Sequence, residues 1–441
     1  VATSVDDQGV SARLRRLRML RGLTQHQLAA GTHFSVSLVK KVEQGSTPPS
    51  AAFVAAAARV LATTPAHLYG ADEQPMEQSQ SEAVGIGFLR TALDAYDDPA
   101  PEGDPLTLMT VERRLEQVGH QLLGMRYTDA AGQLPNLLNH AYVLADASGP
   151  AGERAKAVLH DAYRMAATLA GRFRQADLAA IASERHIRLA PSTGDPLRVA
   201  ISAFHRSSRH LQHGDYRTGL RILERAHNHV TNTPNGHAIK VQLDLRSAVM
   251  VARSGDTDAA DGYLGRARAE IEQYQPPASP YYNIDASELN AVVHWCAAPV
   301  ENYDGAEAVR RSQHVKVVDP TPPERVAHHH IDMGRAWMLY GDREQTLANL
   351  NAARRIAPFN TRNHPSVRET VLALAKRPIG ELPTHWPVSP AGLASNYNRT
   401  LKRWTSRRTA VPKTCRSAPH PRATRCVRRA RQQGLTAQMP A

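Results

Sequence analysis

One short turn recurs through the middle of this 441-residue chain and limits what the rest can be. A helical stretch ends, a polar turn built on glycine follows, and a second helical stretch begins. The turns are Gly124-Met125-Arg126-Tyr127, Gly171-Arg172-Phe173-Arg174, Gly214-Asp215-Tyr216-Arg217, Gly255-Asp256-Thr257-Asp258, Asn302-Tyr303-Asp304-Gly305 and Gly341-Asp342-Arg343-Glu344, spaced by 47, 43, 41, 47 and 39 residues. Pro191, Pro276-Pro277 and Pro358 fall where second helices close. A helix pair cannot bury its apolar face alone, so a pair repeating every ~34–45 residues predicts stacking into an α-solenoid. The glycine is expected to permit the tight turn, and the aromatic after it to pack between neighbours. An irregular all-α bundle is the competing arrangement.

Composition agrees with an all-α fold. Hydrophobic residues make up 42% of the chain but aromatics only 5%, so the core rests on Ala, Leu and Val, which suit close-packed helices better than sheets. The longest apolar run, Ala51–Leu61, includes Arg59 and falls well short of the ~20 residues a membrane span needs. No basic segment leads into an apolar one with a cleavage site near the N-terminus, so a cytoplasmic location and no membrane partner are expected. Cys296, Cys415 and Cys426 are too few and scattered for a disulfide framework or a zinc site.

The net charge of +13 is unevenly placed. Residues 399–441 hold twelve basic residues and no acidic ones, leaving 42 basic against 41 acidic residues elsewhere. Within that balance, residues 11–45 carry Arg13, Arg15, Arg16, Arg18, Arg21, Lys40 and Lys41 against Glu43 alone. Basic ends around a neutral body point to nucleic acid, because Lys and Arg release counterions from phosphates. The Pro- and Arg-rich stretch 377–441 is expected to be disordered. A non-specific nucleic-acid arm is one reading; a tract without amphipathic pattern, of the kind an out-of-frame translation yields, is the favoured one, and no function is assigned to it.

Residues 11–69 read as five short helices. Ser11 is a candidate cap for a helix with Leu14, Leu17 and Leu20 as its apolar face, and Gly22 ends it. Thr24 caps the next, with Leu28 and Ala29 inward. A bend at Gly31–Phe34 leads to a third, capped by Ser35, with Leu38, Val39 and Val42 apolar and Gly45 as its stop. Pro48-Pro49-Ser50 opens a fourth over Ala51–Leu61, and Pro65 starts the last. Two short helices joined by a tight bend after a basic helix form a helix-turn-helix unit.

Gly22-Leu23-Thr24-Gln25, Gln27-Leu28-Ala29, Phe34-Ser35, Val42-Glu43-Gln44-Gly45 and Pro49-Ser50 together resemble the lambda-repressor (XRE) family of DNA-binding domains. The bend departs from that family's usual Gly-Val-Ser: His33-Phe34-Ser35 lacks the glycine, which predicts a slightly longer or tighter turn. The resemblance implies that the helix after the bend enters the major groove. On it, Val36, Ser37 and Lys41 match base-reading positions, Lys41 suiting guanine O6/N7 and Val36 a thymine methyl. Ser35 opens that helix at the same interface. Gln25 matches the family's phosphate clamp, and Lys40 and Gln44 are further phosphate candidates. Arg18 and Glu43 match a structural ion pair.

The expected organisation is a DNA-binding domain over 11–70, a linker over 71–105 with a candidate helix at Glu82–Tyr96, a repeat domain over 106–376 most similar to tetratricopeptide (TPR) repeats, and the tail over 377–441. Polar residues on the first helix of each repeat, namely Arg164, His205, Arg209, Gln242, Arg246, Asn290, His294 and Arg335, are groove candidates, although a satisfied helix surface explains any one of them.

No reactive constellation stands out. His328-His329-His330 are consecutive and diverge by about 100° per residue on a helix. His210 and His213 share a face without further ligands at zinc spacing. His227 and His229 lie on diverging faces, and His294 and Cys296 sit too close in sequence to meet as a nucleophile pair. Gly85-x-Gly87 lacks the third glycine and the preceding strand of a phosphate loop. No catalytic residue, metal or cofactor is expected, and an enzyme is disfavoured.

The whole chain resembles helix-turn-helix regulators with TPR-like C-terminal regions common in actinobacteria, and the peptide-pheromone receptors of Gram-positive bacteria. That resemblance implies a sequence-specific transcriptional regulator, homodimeric on a palindromic double-stranded operator, with a peptide or small-molecule effector in the repeat groove. The alternative is a TPR scaffold or adaptor with an auxiliary helix-turn-helix.

Overall fold

A computed structural model describes residues 9–70, 80–276, 281, 284–313, 315 and 323–376, all within one compact unit, Val1–Pro387. The tail expected over 377–441, with Cys415 and Cys426, lies outside the described residues, as do 71–79 and Pro277. The described residues form α-helices with short connections and no strand.

Five helices open the chain: α1 (Val10–Leu20), α2 (Gln25–Thr32), α3 (Val36–Glu43), α4 (Ala51–Val60) and α5 (Pro65–Tyr69). Their boundaries are set by side-chain caps. Thr24 and Gln27 form a reciprocal capping box, and Ser35, Ser50 and Thr64 each accept a first-turn amide. The first helix differs from its sequence expectation. Its cap is Gly9, and Ser11 is buried two positions further on, within the first turn. Leu20 is 75% exposed, because a strict three-residue spacing falls behind the helical repeat by about 60° at each step. Val10, Leu14 and Leu17 form the inward seam instead.

The helix expected over Glu82–Tyr96 is α6 (Gln80–Asp94). It packs as a layer: Ile86, Leu89, Ala92 and Leu93 are buried in the first repeat core. A Cβ on Gly85 would stand 2.7 Å from Ala131 Cβ, so that glycine serves close helix contact.

Hairpins follow: α7 (Leu108–Leu123) with α8 (Tyr127–Ala145), α9 (Gly149–Arg172) with α10 (Ala176–Leu189), α11 (Pro196–His213) with α12 (Tyr216–Ala226), α13 (Pro234–Arg253) with α14 (Thr257–Tyr274), α15 (Glu288–Glu301) with α16 (Gly305–Ser312), and α17 (Pro323–Tyr340) with α18 (Arg343–Ile356). The short α19 (Pro358–Asn363) and α20 (Pro365–Lys376) finish the described chain. All six recurring turns lie inside these hairpins. Glycine carries the left-handed backbone at Gly214, Gly255 and Gly341, but Met125, Arg174 and Tyr303 carry it in the other three. The Asp that follows supplies what spacing alone did not reveal: Asp215, Asp256, Asp304 and Asp342 each cap the second helix of their hairpin. The turn aromatics bridge neighbours as expected. Tyr127 packs edge-on to Phe173 at 6.4 Å, and both meet Phe359 of α19.

The five N-terminal helices are docked on these repeats. The apolar run noted in the sequence is α4, buried from Ala52 to Ala58 because one side faces its own domain and the other the repeats. Gly214, in the α11–α12 turn, comes so close that a Cβ there would lie 2.5 Å from Ala55 Cβ. Tyr303 packs edge-on to Phe34 at 6.3 Å, and its hydroxyl accepts the Ser50 amide at 2.7 Å. At the N-terminus of α1, the Val10 amide donates to both carboxylate oxygens of Glu369 on α20, each at 3.3 Å.

Candidate nucleic-acid interface

Helices α2 and α3 are joined by His33, Phe34 and Ser35. His33 takes the left-handed conformation (φ 59°) where the lambda-repressor pattern has glycine, so the missing glycine leaves a tight bend with a strained residue in it. Phe34 anchors the bend by packing on Phe53 at 5.3 Å. Val39, Val42 and Glu43 face the domain core. Ser35, Ser37, Lys40, Lys41 and Gln44 are exposed on the other side, and Val36 is half-buried beside them. The α3 face with the sequence-expected contact residues therefore points away from α4 and the repeats. Exposed Arg15 adds charge from α1.

Two of the expected residues have a defined local role. The Ser35 hydroxyl accepts the Leu38 amide at 3.2 Å, which starts α3 and leaves the hydroxyl proton to donate elsewhere. Gln25 is turned inward: its Nε2 donates to Glu43 Oε2 at 2.8 Å. In this conformation one of its two amide hydrogens is used within the domain, and His26 and Gln27 are the exposed side chains of the N-terminal turn of α2.

Arg18 and Glu43 meet as a two-pronged pair, Nε to Oε1 at 2.5 Å and Nη2 to Oε2 at 3.0 Å. Arg18 also donates to the Leu23 carbonyl at 2.7 Å, so one guanidinium ties α1, the following turn and the end of α3 together. The Glu43 side chain is 3% exposed. Its hydrogen bond and charge raise the Arg18 pKa against the opposing effect of burial.

The groove candidates divide into two sets. Gln242 and Asn290 both donate to the Asp285 carbonyl and so hold the segment before α15. Arg335 lies 3.6 Å from Glu301, which also faces Arg253 at 3.5 Å. Arg209 is half-buried, and its carbonyl faces His213 Nδ1 at 2.7 Å. Arg164, His205, Arg246 and His294 instead lie close enough on the first helices α9, α11, α13 and α15 to feel one another's charge, and the side they share is termed the inner side. Two neighbours escaped the sequence analysis, Arg172 and Arg325. Arg325, His328, Asp332 and Arg335 recur at helical spacing on α17, the readable signal for that stripe. Arg172 pairs with Glu324 and Arg325 with Asp285.

Burial keeps the inner imidazoles neutral. It holds His294 down to about 3 and His328 to about 4, with Arg325 adding to the first and Arg172 to the second. Cys296 is buried and its thiol pushed up to about 12. Among the described residues no three His, Cys, Asp or Glu side chains converge as metal ligands.

A family model described as a helix-turn-helix domain matches residues 10–69. The five N-terminal helices are a helix-turn-helix domain. No curated protein matches the chain. Among solved structures, the crystal structure of Bacillus thuringiensis PlcR in complex with the peptide PapR7 and DNA is 11% identical over 83% of this chain and 99% of that one, with a TM-score of 0.20.

Proposed function

We propose that this chain is a sequence-specific, DNA-binding transcriptional regulator of the XRE type. The observation that carries this reading is the placement of Ser35, Ser37, Lys40, Lys41 and Gln44 on one exposed face, supported from behind by Arg18 and Glu43. A helix presenting Lys and small polar side chains beside a helix N-terminus suits a major groove flanked by phosphates. Lys41, Ser37 and Val36 are assigned to base edges, and Lys40, Gln44 and Ser35 to phosphates. Gln25 is assigned to a phosphate through the amide hydrogen that Glu43 does not take.

The repeat domain is assigned to effector sensing or dimerisation. Because the DNA-binding domain rests on α11, the α15–α16 turn and α20, a change in repeat curvature reaches it directly. Driving such a switch from 1:99 to 99:1 requires an effector preference of about 5.5 kcal/mol for one state. In a homodimer that shift would reset the distance between two recognition helices on a palindromic site.

Selection from random DNA at fixed moderate salt, with Lys41→Ala and Ser37→Ala in parallel, tests this reading. A palindromic consensus that loses definition in the variants is expected. Enrichment of no sequence, together with a stoichiometric protein complex formed without DNA, would favour an adaptor.

A further inference from the structure

The inner side of the repeats holds a guanidinium without a counter-charge. Arg246 sits midway along α13, half-buried, and among the described residues no carboxylate pairs with it. Its Nη1 donates to Ser208 Oγ at 3.0 Å, and its guanidinium lies over the Phe204 ring at 4.6 Å. Burial, together with the guanidiniums of Arg253, Arg325 and Arg164, pulls its pKa down to about 9. Three other inner arginines are compensated: Arg172 by Glu324, Arg325 by Asp285, and Arg253 by Glu301.

A ladder of imidazoles leads to the same place. His160 stacks on His186 with ring centres 3.9 Å apart, and His186 meets His205 edge-on at 5.7 Å. His205 is 9% exposed, contacts Phe204 and has no hydrogen-bond partner on Nε2. Burial and the nearby Arg164 charge keep it well below the usual histidine range, so it is neutral and able to donate one hydrogen bond. A buried charge without a partner is strongly unfavourable, and guanidinium matches carboxylate and phosphate geometry better than any other side chain.

We propose that this face is a binding site for the anionic head of a ligand, a carboxylate or phosphate, gripped by Arg246 with Arg164, Arg325 and His205 around it. Ser208 presets the guanidinium and Phe204 supplies an apolar wall for the adjoining part of the ligand. The site stands on this geometry alone; its role as an effector site rests on the regulator reading above.

Calorimetric and thermal-shift titrations of the full chain with citrate, and separately with inorganic phosphate, at matched ionic strength provide the test. Saturable binding with a melting temperature that climbs with the logarithm of anion concentration is expected, and the stronger of the two probes identifies the head group. Arg246→Met should weaken binding by at least about tenfold while its anion-free melting temperature stays level or rises, because an uncompensated charge is gone. Arg354→Gln, which removes the same charge from the exposed side of α18, should bind as wild type. Absence of saturable binding, equal binding by Arg246→Met, or an anion-free melting temperature well below wild type in both Arg246→Met and Arg246→Gln would overturn the proposal. DNA affinity measured in the same samples separates the two readings. Anion binding with unchanged DNA affinity supports the site and removes the effector role, whereas failed anion binding beside a defined operator removes the site and leaves the regulator.

Discussion

The Ser50 amide donates to Tyr303 Oη at 2.7 Å, joining the cap of α4 to a turn of the repeats 253 positions away in sequence. The bond sits where the helix-turn-helix domain meets the α15–α16 hairpin, beneath the edge-on contact of Tyr303 with Phe34. Tyr303 itself has left-handed backbone (φ 62°), an arrangement kept by the surrounding contacts against a steric penalty. Burial pushes its hydroxyl up to about 12, so it remains protonated and neutral at any ordinary pH.

Tyr303→Phe keeps the ring and removes the acceptor from a buried amide. A loss of about 1–3 kcal/mol is expected, seen as a lower denaturant midpoint with unchanged slope. Hydrogen exchange at the Ser50 amide should accelerate in parallel. A midpoint equal to wild type would show that the contact contributes nothing to docking.

Gly214→Ala meets two obstacles. Its backbone is left-handed (φ 74°), and the new Cβ would lie 2.5 Å from Ala55 Cβ. The backbone part alone costs about 1–2 kcal/mol, and the clash adds to it by pushing α4 off the repeats. Ala55→Gly should return the clash part and none of the backbone part, so a double-mutant cycle on thermal stability separates them. Strict additivity of the two substitutions would place Ala55 and Gly214 out of contact.

Much of this fold is legible in the sequence because its signals are local. Gly-Asp at a hairpin turn states a left-handed helix end and the next helix cap within two residues. Thr24, Ser35 and Ser50 likewise announce the helices they start. What escaped was long-range. The run Ala51–Leu61 is apolar all round because it lies between two domains, and nothing within eleven residues says which second surface covers it. Gln25 stands where the lambda-repressor pattern has its phosphate clamp, yet it bonds Glu43 across the domain, a choice set by packing. Arg246 is one of eight similar groove candidates, and what sets it apart, a Ser208 hydrogen bond and the Phe204 ring with no paired carboxylate among the described residues, exists only in three dimensions. Arg13 and Tyr69 also turn inward, Tyr69 raised well above its usual range by burial; composition counted Arg13 toward a basic surface.

The buried imidazoles make stability pH-dependent. His294, His329 and His364 are held to about 3, in each case chiefly by burial, whereas an unfolded histidine titrates near 6.5. Between those values the unfolded chain binds more protons, so stability is complete above about pH 6.5 and falls as pH drops toward 4. Each such histidine contributes up to about 1.4 kcal/mol per pH unit in that window. Melting temperature should hold steady from pH 8 to 7 and decline steeply below about 6. A flat profile down to pH 5 would mean that these rings are protonated in the folded chain. His294→Gln should make the decline shallower.

The Arg18–Glu43 pair separates folding from DNA contact. Removing either partner strands the other, and breaking a buried pair in this way costs about 3–5 kcal/mol; the 12% exposure of Arg18 places this one toward the lower end. Arg18→Met leaves Glu43 with Gln25 alone, and Glu43→Leu leaves Arg18 with the Leu23 carbonyl. Each single variant should lower the melting temperature and lose DNA binding at physiological temperature. The double variant, which removes both charges, should recover most of the stability. DNA affinity should return with it, because neither side chain belongs to the exposed face of α3. If the stable double variant stays unable to bind DNA, Arg18 or Glu43 acts at the interface itself, and the division between support and contact drawn above is wrong.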